Sequence, residues 1–197
     1  MDGNLAEQRK NGEYTYEDYL NWDEDERWEL VDGWAYMMAP PGTKHQRASA
    51  ALAAALFDYL KGKPCEVFHE LGVRLFPKIP SRKIVQKDKV LIPDLSVVCD
   101  LEQLDDHVCN GPPTLVVEIL SPSTASRDFT AKKDWYTEAG VTEYWIADPH
   151  SGEVHVYQLQ KRENQRTTYG KDETLASPTF PGLEIPLSEI FSTNTNN

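Results

Sequence analysis

The strongest constraint on how this chain folds is an acidic residue inside an otherwise apolar segment, residues 115–120. Glu118 interrupts that segment, and Asp94 opens a second apolar run that continues to Cys99. Near-continuous, β-branched apolar runs of this length are typical of strands that are covered on both faces. An ionised carboxylate in such a strand is costly unless a cation or several hydrogen-bond donors meet it. If Asp94 and Glu118 converge, their oxygens form a site for a hard divalent ion such as Mg²⁺.

The length and the ends of the chain set its predicted organisation. With 197 residues, the chain suits one domain with a sizeable core. We expect residues 15–191 to form that domain, between a flexible N-terminus, 1–14, and a disordered tail, 192–197. No apolar run approaches the roughly 18 residues that a membrane span needs. The first residues lack the basic and apolar segments of a secretory signal, so we expect a cytoplasmic protein that does not engage a membrane.

The cysteines and the large aromatic residues are predicted to have structural roles rather than roles in a binding or catalytic site. Cys65, Cys99 and Cys109 are odd in number and have no CxxC spacing, which favours reduced thiols over a disulfide framework or a zinc site. The five tryptophans and the tyrosines 144 and 157 lie in amphipathic segments. We therefore expect them to pack in the core rather than to stack on nucleic-acid bases.

The charge of the chain is acidic overall but basic in one stretch. A formal net charge of -12 argues against a chain covered in phosphate contacts, because nonspecific nucleic-acid affinity comes mainly from lysine and arginine. Between residues 74 and 89 six cations face one acid, Asp88; the cations are Arg74, Lys78, Arg82, Lys83, Lys87 and Lys89. This stretch is either a solvated hairpin loop or a loop that contacts phosphate.

Local signals predict alternating short strands and helices. Thr15 caps a short helix, Asp32-Gly33 marks a hairpin within 27–37, and an alanine-rich helix runs from Thr43 to about Lys61. Strands are predicted near 65–68, 71–76, 91–99 and 114–120. In the second half we predict a helix from Ser123 or Ser126 to about Ala139, a hairpin of 143–148 with 154–159, a polar separator at 162–173 and a closing segment at 183–187.

Lys132 lies near the middle of the buried stripe of the helix that follows Glu118. The stripe consists of Ala125, Phe129, Trp135, Tyr136 and Ala139. A lysine in such a position either extends along the surface to water or is held against an acid. Only about 14 residues separate Lys132 from Glu118. Glu118 is therefore close enough along the chain to be the acid that holds Lys132.

At these residues the chain resembles the putative restriction endonuclease family of the PD-(D/E)XK nuclease superfamily, from about Thr15 to Ile190. The matching segments are Glu29-Leu30-Val31-Asp32-Gly33, Met38-Ala39-Pro40-Pro41, His45-Gln46, residues 93–98, residues 117–124, Arg127-Asp128, Lys132 and residues 140–149. The resemblance implies an α/β (α+β) fold. Its expected parts are a restriction-endonuclease-like core, a mixed central β-sheet flanked by helices, and additional N-terminal and C-terminal β-hairpins.

The resemblance also implies roles for individual residues. Asp94 and Glu118 correspond to the motif acids that bind the metal, and the main-chain carbonyl of Ile119 is expected to complete the inner shell. Leu120 stands where the simplest pattern has a lysine, and Lys132 takes that role. Glu29 resembles an additional acid from the N-terminal part of these folds.

The expected activity is therefore hydrolysis of DNA phosphodiester bonds with Mg²⁺, for which Mn²⁺ could substitute. His45, in the first turn of the alanine-rich helix, is either a phosphate contact or a surface histidine. Arg74, Lys83 and Lys87 are the other predicted substrate contacts, and a homodimer that frames a basic channel would reconcile the acidic charge with a DNA substrate. A catalytically inactive binding module with a nuclease fold is the alternative. An unrelated hydrolase has little support, because the GxSxG, HExxH and glycine-rich phosphate-loop motifs are absent.

Overall fold

The computed structural model describes residues 12–23, 26–77, 88–121, 128–161 and 165–191. Its α-helices are α1 (Tyr16–Tyr19), α2 (Thr43–Leu60), α3 (Lys133–Ala139) and α4 (Leu187–Phe191). A 3₁₀ turn covers Leu101–Gln103, and a π-helical turn, Asp128–Lys132, leads directly into α3. The predicted tail, 192–197, and residues 1–11 of the predicted flexible N-terminus lie outside the described ranges.

The strands form two mixed sheets and a small hairpin. In chain order the strands are β1 (Trp28–Val31), β2 (Trp34–Met37), β3 (Glu66–His69), β4 (Gly72–Arg74), β5 (Lys89–Leu91), β6 (Leu95–Val98), β7 (Val108–Asn110), β8 (Leu115–Ile119), β9 (Glu143–Asp148), β10 (Glu153–Gln158), β11 (Gln165–Tyr169), β12 (Thr174–Ala176) and β13 (Glu184–Pro186). One sheet has the order β11-β10-β9-β8-β6-β3, and the other has the order β2-β1-β5-β4-β7. Each sheet contains one parallel pair, β8 with β9 and β4 with β7. The predicted mixed α+β architecture with terminal hairpins is confirmed.

The six-stranded sheet is covered on both faces, as the apolar run at 115–120 predicts. Leu115, Val117 and Ile119 pack with α2 in one hydrophobic cluster. Val116 and Leu120 belong to a second cluster on the opposite face, which includes Tyr136 and residues of the five-stranded sheet. Because side chains alternate along a strand, Glu118 lies on the face of Val116 and Leu120. Its carboxylate therefore points into the layer that α3 and β1 build.

Several predicted elements are confirmed. Thr15 caps α1 in a capping box with Asp18. Asp32 and Gly33 both have positive φ at the turn between β1 and β2, as a two-residue hairpin loop requires. The hairpin of β9 and β10 is also present, with Glu153 opposite Asp148.

Other elements differ from the prediction. The strand predicted at 91–99 is divided between β5 and β6, and the polar separator at 162–173 contains β11, whose threonine-rich sequence pairs with β10. β7 and β12 are not predicted, because three-residue strands carry too little pattern. The predicted helix after Glu118 begins, in the described part, as a π-helical turn, and its predicted caps Ser123 and Ser126 lie outside the described residues.

The prediction of reduced thiols is wrong for Cys65 and Cys99, which form a disulfide with a Cα–Cα distance of 4.0 Å. The reason is the antiparallel register of β3 and β6. Glu66 is opposite Val98, so the next pair outward is Cys65 with Cys99. Cys109 is free and buried. A pairing across 34 residues of sequence has no local signal.

The expectation that all tryptophans pack in the core is also wrong in one case. Trp145 is fully buried and Trp28 nearly so, but Trp34 on β2 is 45% exposed. β2 lies at the edge of its sheet, where no strand of the described part of the chain continues the layer. Within the described ranges, no helix combines the length and the apolar character that crossing a membrane would require.

Candidate active site

Asp94 and Glu118 meet at the ends of two neighbouring antiparallel strands. Leu95 of β6 is opposite Val117 of β8, so one further step in that register sets Asp94 beside Glu118. The backbone N–H of Ile119 donates to Asp94 Oδ2 at 2.6 Å. His45 Nε2 lies 3.1 Å from Asp94 Oδ1. Both oxygens of Asp94 are thus fixed by groups that belong to different elements.

The second acid is held by the helical segment that covers its face of the sheet. Lys132 Nζ donates to Glu118 Oε1 at 2.8 Å, and the Tyr136 hydroxyl donates to the same oxygen, also at 2.8 Å. Lys132 and Tyr136 are four residues apart, so one helix face presents both donors. The Tyr144 hydroxyl on β9 donates to the Asp128 carbonyl at 3.2 Å, which ties the start of the π-helical turn to the sheet.

Lys132 is surrounded by acids from three elements. Besides Glu118 on β8, its ammonium lies 3.1 Å from Glu29 Oε1 on β1 and 3.7 Å from Asp128 Oδ1 in its own π-helical turn. Glu29 Oε1 also accepts from the backbone N–H of Ile92 at 3.2 Å. Lys132 and these three acids are between 1% and 4% exposed. Of the two interpretations of Lys132, this geometry matches the one in which the lysine is held against acids and not the one in which it extends to water.

The buried cluster has more carboxylates than cations, and the pKa values reflect this. The pKa of Glu118 is raised to about 8, mainly by burial and also by the neighbouring acids Asp128, Asp94 and Glu29, while Lys132 acts in the opposite direction. Burial alone would lower the pKa of Lys132, but the surrounding carboxylates outweigh it and the pKa lies above its ordinary value. Burial also raises the pKa of Tyr136 well above its ordinary value, so the phenol stays a donor. A further cation would relieve the excess of negative charge.

These groups open into a cleft of about 330 Å³. Its floor includes Glu118, Ile119 and Lys132, and His45 lies at its side. The segment from β2 to the start of α2, residues 36–42, forms one wall, and the remaining lining residues are Arg27, Glu29, Asp94, Ser121 and Asp128. The cleft therefore connects the buried acids with solvent along an apolar border.

His45 lies in the first turn of α2, where it contacts Asp94. The N-cap residue of α2, Gly42, offers no side chain to the unpaired N–H groups, and the first turn contains no acid. His45 Nδ1 is buried and has no hydrogen-bond partner within the described ranges. A helix terminus of this kind favours a negatively charged group.

The other predicted substrate contacts are not brought to the cleft. Arg74 on β4 donates from Nη2 to Asp88 Oδ1 at 2.8 Å, and its guanidinium lies 3.8 Å from the centroid of the Tyr16 ring. It does not line the cleft described above. Lys83 and Lys87 lie outside the residues that the structure describes.

Two buried groups of the cluster were not selected from the sequence. For Asp128 the sequence leaves a site role and a helix-capping ion pair equally open, although its i, i+4 spacing from Lys132 is a recognisable acid–base pairing signal. Tyr136 was interpreted as a core residue, and its hydroxyl contact with Glu118 has no sequence signal.

The donor set suits a hard divalent ion. Asp94 and Glu118 supply carboxylate oxygens, and Mg²⁺ is generally bound by one or two carboxylates with waters and substrate phosphate. Among the described residues there is no group of three or more histidine, cysteine, aspartate or glutamate side chains arranged to hold a metal ion. The set fits an ion that relies on main-chain oxygen, water and substrate for its remaining ligands.

Comparisons with known proteins agree with this architecture. The profile of a family described as "Uma2: Putative restriction endonuclease" matches residues 16–188. An uncharacterized protein of Synechocystis sp., slr1290, is 30% identical over 145 residues, which are 72% of each of the two chains. The solved structure of a putative nuclease belonging to DUF820 from Anabaena variabilis ATCC 29413 has a TM-score of 0.72 and 19% identity, and the alignment covers 90% of this chain and 97% of that one. At that identity the likeness shows the fold, which is that of the restriction-endonuclease-like proteins. The chain belongs to the putative restriction endonuclease family.

Proposed function

We propose that the protein is a metal-dependent endonuclease that hydrolyses phosphodiester bonds of DNA. The observation that carries the proposal is the convergence of Asp94, Glu118 and Lys132 at the floor of one cleft, from three separate parts of the chain. Paired acids beside a buried ammonium suit a reaction that builds negative charge on a phosphoryl group.

In this proposal Asp94, Glu118 and the carbonyl of Ile119 hold Mg²⁺, with Mn²⁺ as a substitute. A bound divalent ion lowers the pKa of its water and polarises a phosphoryl oxygen. Asp94 is suited to the role because both of its oxygens are already oriented by Ile119 and His45. The described hydrogen bonds to Glu118 fall on Oε1, so Oε2 is the oxygen that we assign to the ion.

Lys132 and Glu29 act on the water and on the developing charge. The Lys132 ammonium is held between Glu118 and Glu29, so it is oriented before substrate arrives and loses little freedom in the reaction. We assign it the stabilisation of charge beside the attacked phosphorus. Glu29, whose Oε1 is fixed by Ile92, would polarise the attacking water. His45, at the uncapped start of α2, is assigned to a non-bridging phosphate oxygen.

The proposal extends to the assembly and location of the protein. A homodimer would combine the sparse cations of two copies around one DNA molecule, which the net charge of -12 makes advantageous. A cytoplasmic location is part of the proposal.

The test is cleavage of supercoiled plasmid and of labelled oligonucleotides by purified protein with Mg²⁺ or Mn²⁺. We expect the wild type to nick the plasmid. In Glu118→Gln and in Asp94→Asn we expect the cleavage rate to fall by at least about a hundredfold, which is typical of the loss of one group that stabilises the transition state. Glu102→Gln is the matched control, since Glu102 is exposed in the 3₁₀ turn.

Calorimetry with Mn²⁺ separates the two functional alternatives. Heat of binding that disappears in Asp94→Asn supports the metal-dependent enzyme. Binding of DNA by a wild type that neither binds divalent ions nor cleaves any substrate would establish the inactive nuclease-fold module instead.

A further inference from the structure

The edge strand β2 exposes large apolar side chains beside the cleft. Trp34, Tyr36 and Met37 are 45%, 44% and 56% exposed, which is unusual for three residues of one four-residue strand. Ala35 lies on the opposite face and packs against a hydrophobic cluster, and Met37, which shares that face, lines the cleft at the end of the strand. The exposed aromatic rings are therefore a property of one face of the hairpin and not of an unpacked strand.

The register of the hairpin relates this face to the catalytic acids. Tyr36 is directly opposite Glu29, and Trp34 is opposite Val31. Directly opposite residues of an antiparallel pair lie on the same face, so the rings of Trp34 and Tyr36 share the face of the Glu29 carboxylate. Tyr36 and Met37 also line the cleft. The apolar face thus continues into the floor where Glu29 contacts Lys132.

The same part of the chain is basic in an otherwise acidic protein. No aspartate or glutamate occurs between Asp32 and Asp58, although the chain contains 32 acidic residues. Lys44 and Arg47 lie one turn apart at the start of α2, and both are exposed. Within the described ranges neither forms an ion pair with an acid. Their charge is available to an anion from solution.

We infer that the β2–α2 surface, defined as the exposed residues Trp34, Tyr36, Met37, Lys44 and Arg47 on the two elements that the cleft wall 38–42 joins in the chain, binds single-stranded DNA and leads it into the cleft. This inference rests on the proposed nuclease function and names the form of its substrate. Single strands bind where aromatic rings stack on successive bases and cations meet the backbone. A duplex hides its base faces, so exposed rings contribute little to duplex binding. The overall charge of -12 opposes the many phosphate contacts on which nonspecific duplex binding depends.

A second copy of the chain matches the surface less well. A two-fold interface brings the same patch of both copies together. The β2–α2 surface contains cations and no acid, so two copies would meet with like charges and without compensation. A phosphate backbone supplies the complementary charge.

The experiment is fluorescence anisotropy of a labelled 12-nucleotide oligo-dT and of a labelled duplex of the same length, in EDTA so that binding is measured without cleavage. We expect the single strand to bind about tenfold more tightly than the duplex, and Trp34→Ala or Tyr36→Ala to weaken single-strand binding about tenfold, as expected for one lost stacking contact. Tyr36→Phe keeps the ring and should keep the affinity. Phe57→Ala is the matched control, because Phe57 on α2 is 59% exposed and does not line the cleft.

The cationic part of the surface is tested through salt. Lys44→Ala and Arg47→Ala should each reduce the slope of log affinity against log salt by about 0.7, the value for one phosphate contact on a single strand. Lys61→Ala, at the other end of α2, should leave the slope unchanged. Circular dichroism of each variant verifies that these exposed substitutions preserve the fold.

Three outcomes would overturn the inference. The first is that the duplex binds as tightly as the single strand or more tightly. The second is that Trp34→Ala and Tyr36→Ala lose no affinity relative to Phe57→Ala. The third is that those two variants change from dimer to monomer in sedimentation while their binding of oligo-dT stays unchanged. A parallel cleavage assay with Mg²⁺ distinguishes this failure from that of the proposed function. Cleavage of duplex without any single-strand preference rejects the inference alone, whereas single-strand binding by a protein that never cleaves rejects the nuclease proposal alone.

Discussion

Lys132 Nζ lies 2.8 Å from Glu118 Oε1, although the two residues belong to different elements and are 14 positions apart. In the simplest superfamily pattern the lysine follows two residues after the glutamate on the same strand. Here that position is Leu120, which packs in the hydrophobic cluster on the same face of the sheet. The helical segment provides the ammonium instead, and the strand keeps an apolar side chain for the core.

Lys132→Ala should impair both stability and activity. The substitution leaves Glu118, Glu29 and Asp128 buried without their shared cation, and removal of one partner from a buried ion pair typically costs about 3 to 5 kcal/mol. Urea unfolding should therefore show a lower free energy of unfolding, and DNA cleavage should be lost. Lys133→Ala is the matched control, because Lys133 is only half-buried and lies over the Tyr157 ring. Equal stability of the two variants would contradict the role of Lys132 as the counter-ion of the cluster.

The site was predictable from the sequence to the extent that its acids lie in patterned strands. Glu118 interrupts an apolar run, Asp94 begins another, and Lys132 lies on the apolar stripe of a helix, so each stands out against its surroundings. Glu29 has no such contrast and depended on family resemblance. The π-helical turn was not predictable, because the contacts that hold it, such as the hydrogen bond from the Tyr144 hydroxyl to the Asp128 carbonyl, are tertiary interactions.

The metal-free protein should become less stable as the pH rises toward 8, and Glu118→Gln should remove part of that dependence. The pKa of Glu118 is raised from 4.5 to about 8 in the folded protein. Its protonated form therefore favours folding, fully below about pH 4.5 and not at all above about pH 8. Between these limits the free energy of unfolding falls by roughly 1.4 kcal/mol per pH unit for one proton.

Urea titrations of wild type and Glu118→Gln at several pH values in EDTA measure this contribution as a difference. The variant cannot titrate at position 118, so its curve should be flatter than the wild-type curve between pH 5 and 8. Parallel curves would show that the Glu118 carboxyl keeps an ordinary pKa.

Arg74→Ala distinguishes a structural role of Arg74 from the predicted phosphate contact. Arg74 and Asp88 form a mostly buried ion pair, and Asp88 Oδ2 also accepts from the backbone N–H of Tyr16 at 3.3 Å. We expect the variant to lose roughly 3 kcal/mol of unfolding free energy, because it leaves the Asp88 carboxylate buried without its cation. Lys61→Ala, which breaks an exposed pair with Asp58, should change stability little. If Arg74→Ala instead keeps its stability and binds DNA more weakly with a smaller salt slope, the original substrate-contact prediction is correct.

The failure to predict the disulfide has a physical reason that also applies to the five-stranded sheet. Which strands become neighbours depends on long-range pairing, such as β1 with β5 or β3 with β6, and residue patterns within a strand do not encode it. Strand existence was therefore more predictable than strand order. The same limitation concealed that β2 is an edge strand and that Trp34 is exposed.

The cysteines give a prediction that is independent of metal and DNA. With the Cys65–Cys99 disulfide intact, the native protein should expose no reactive thiol to Ellman's reagent, because Cys109 is buried and burial raises the pKa of its thiol to about 11. Denaturation without reductant should release one thiol, and denaturation after reduction should release three. The Cys109→Ser variant is the control that assigns the single thiol, since it should release none without reductant. Three thiols in the unreduced, denatured protein would show that the disulfide does not form, and rapid labelling of the native protein near pH 8 would show that Cys109 is not held as a buried thiol.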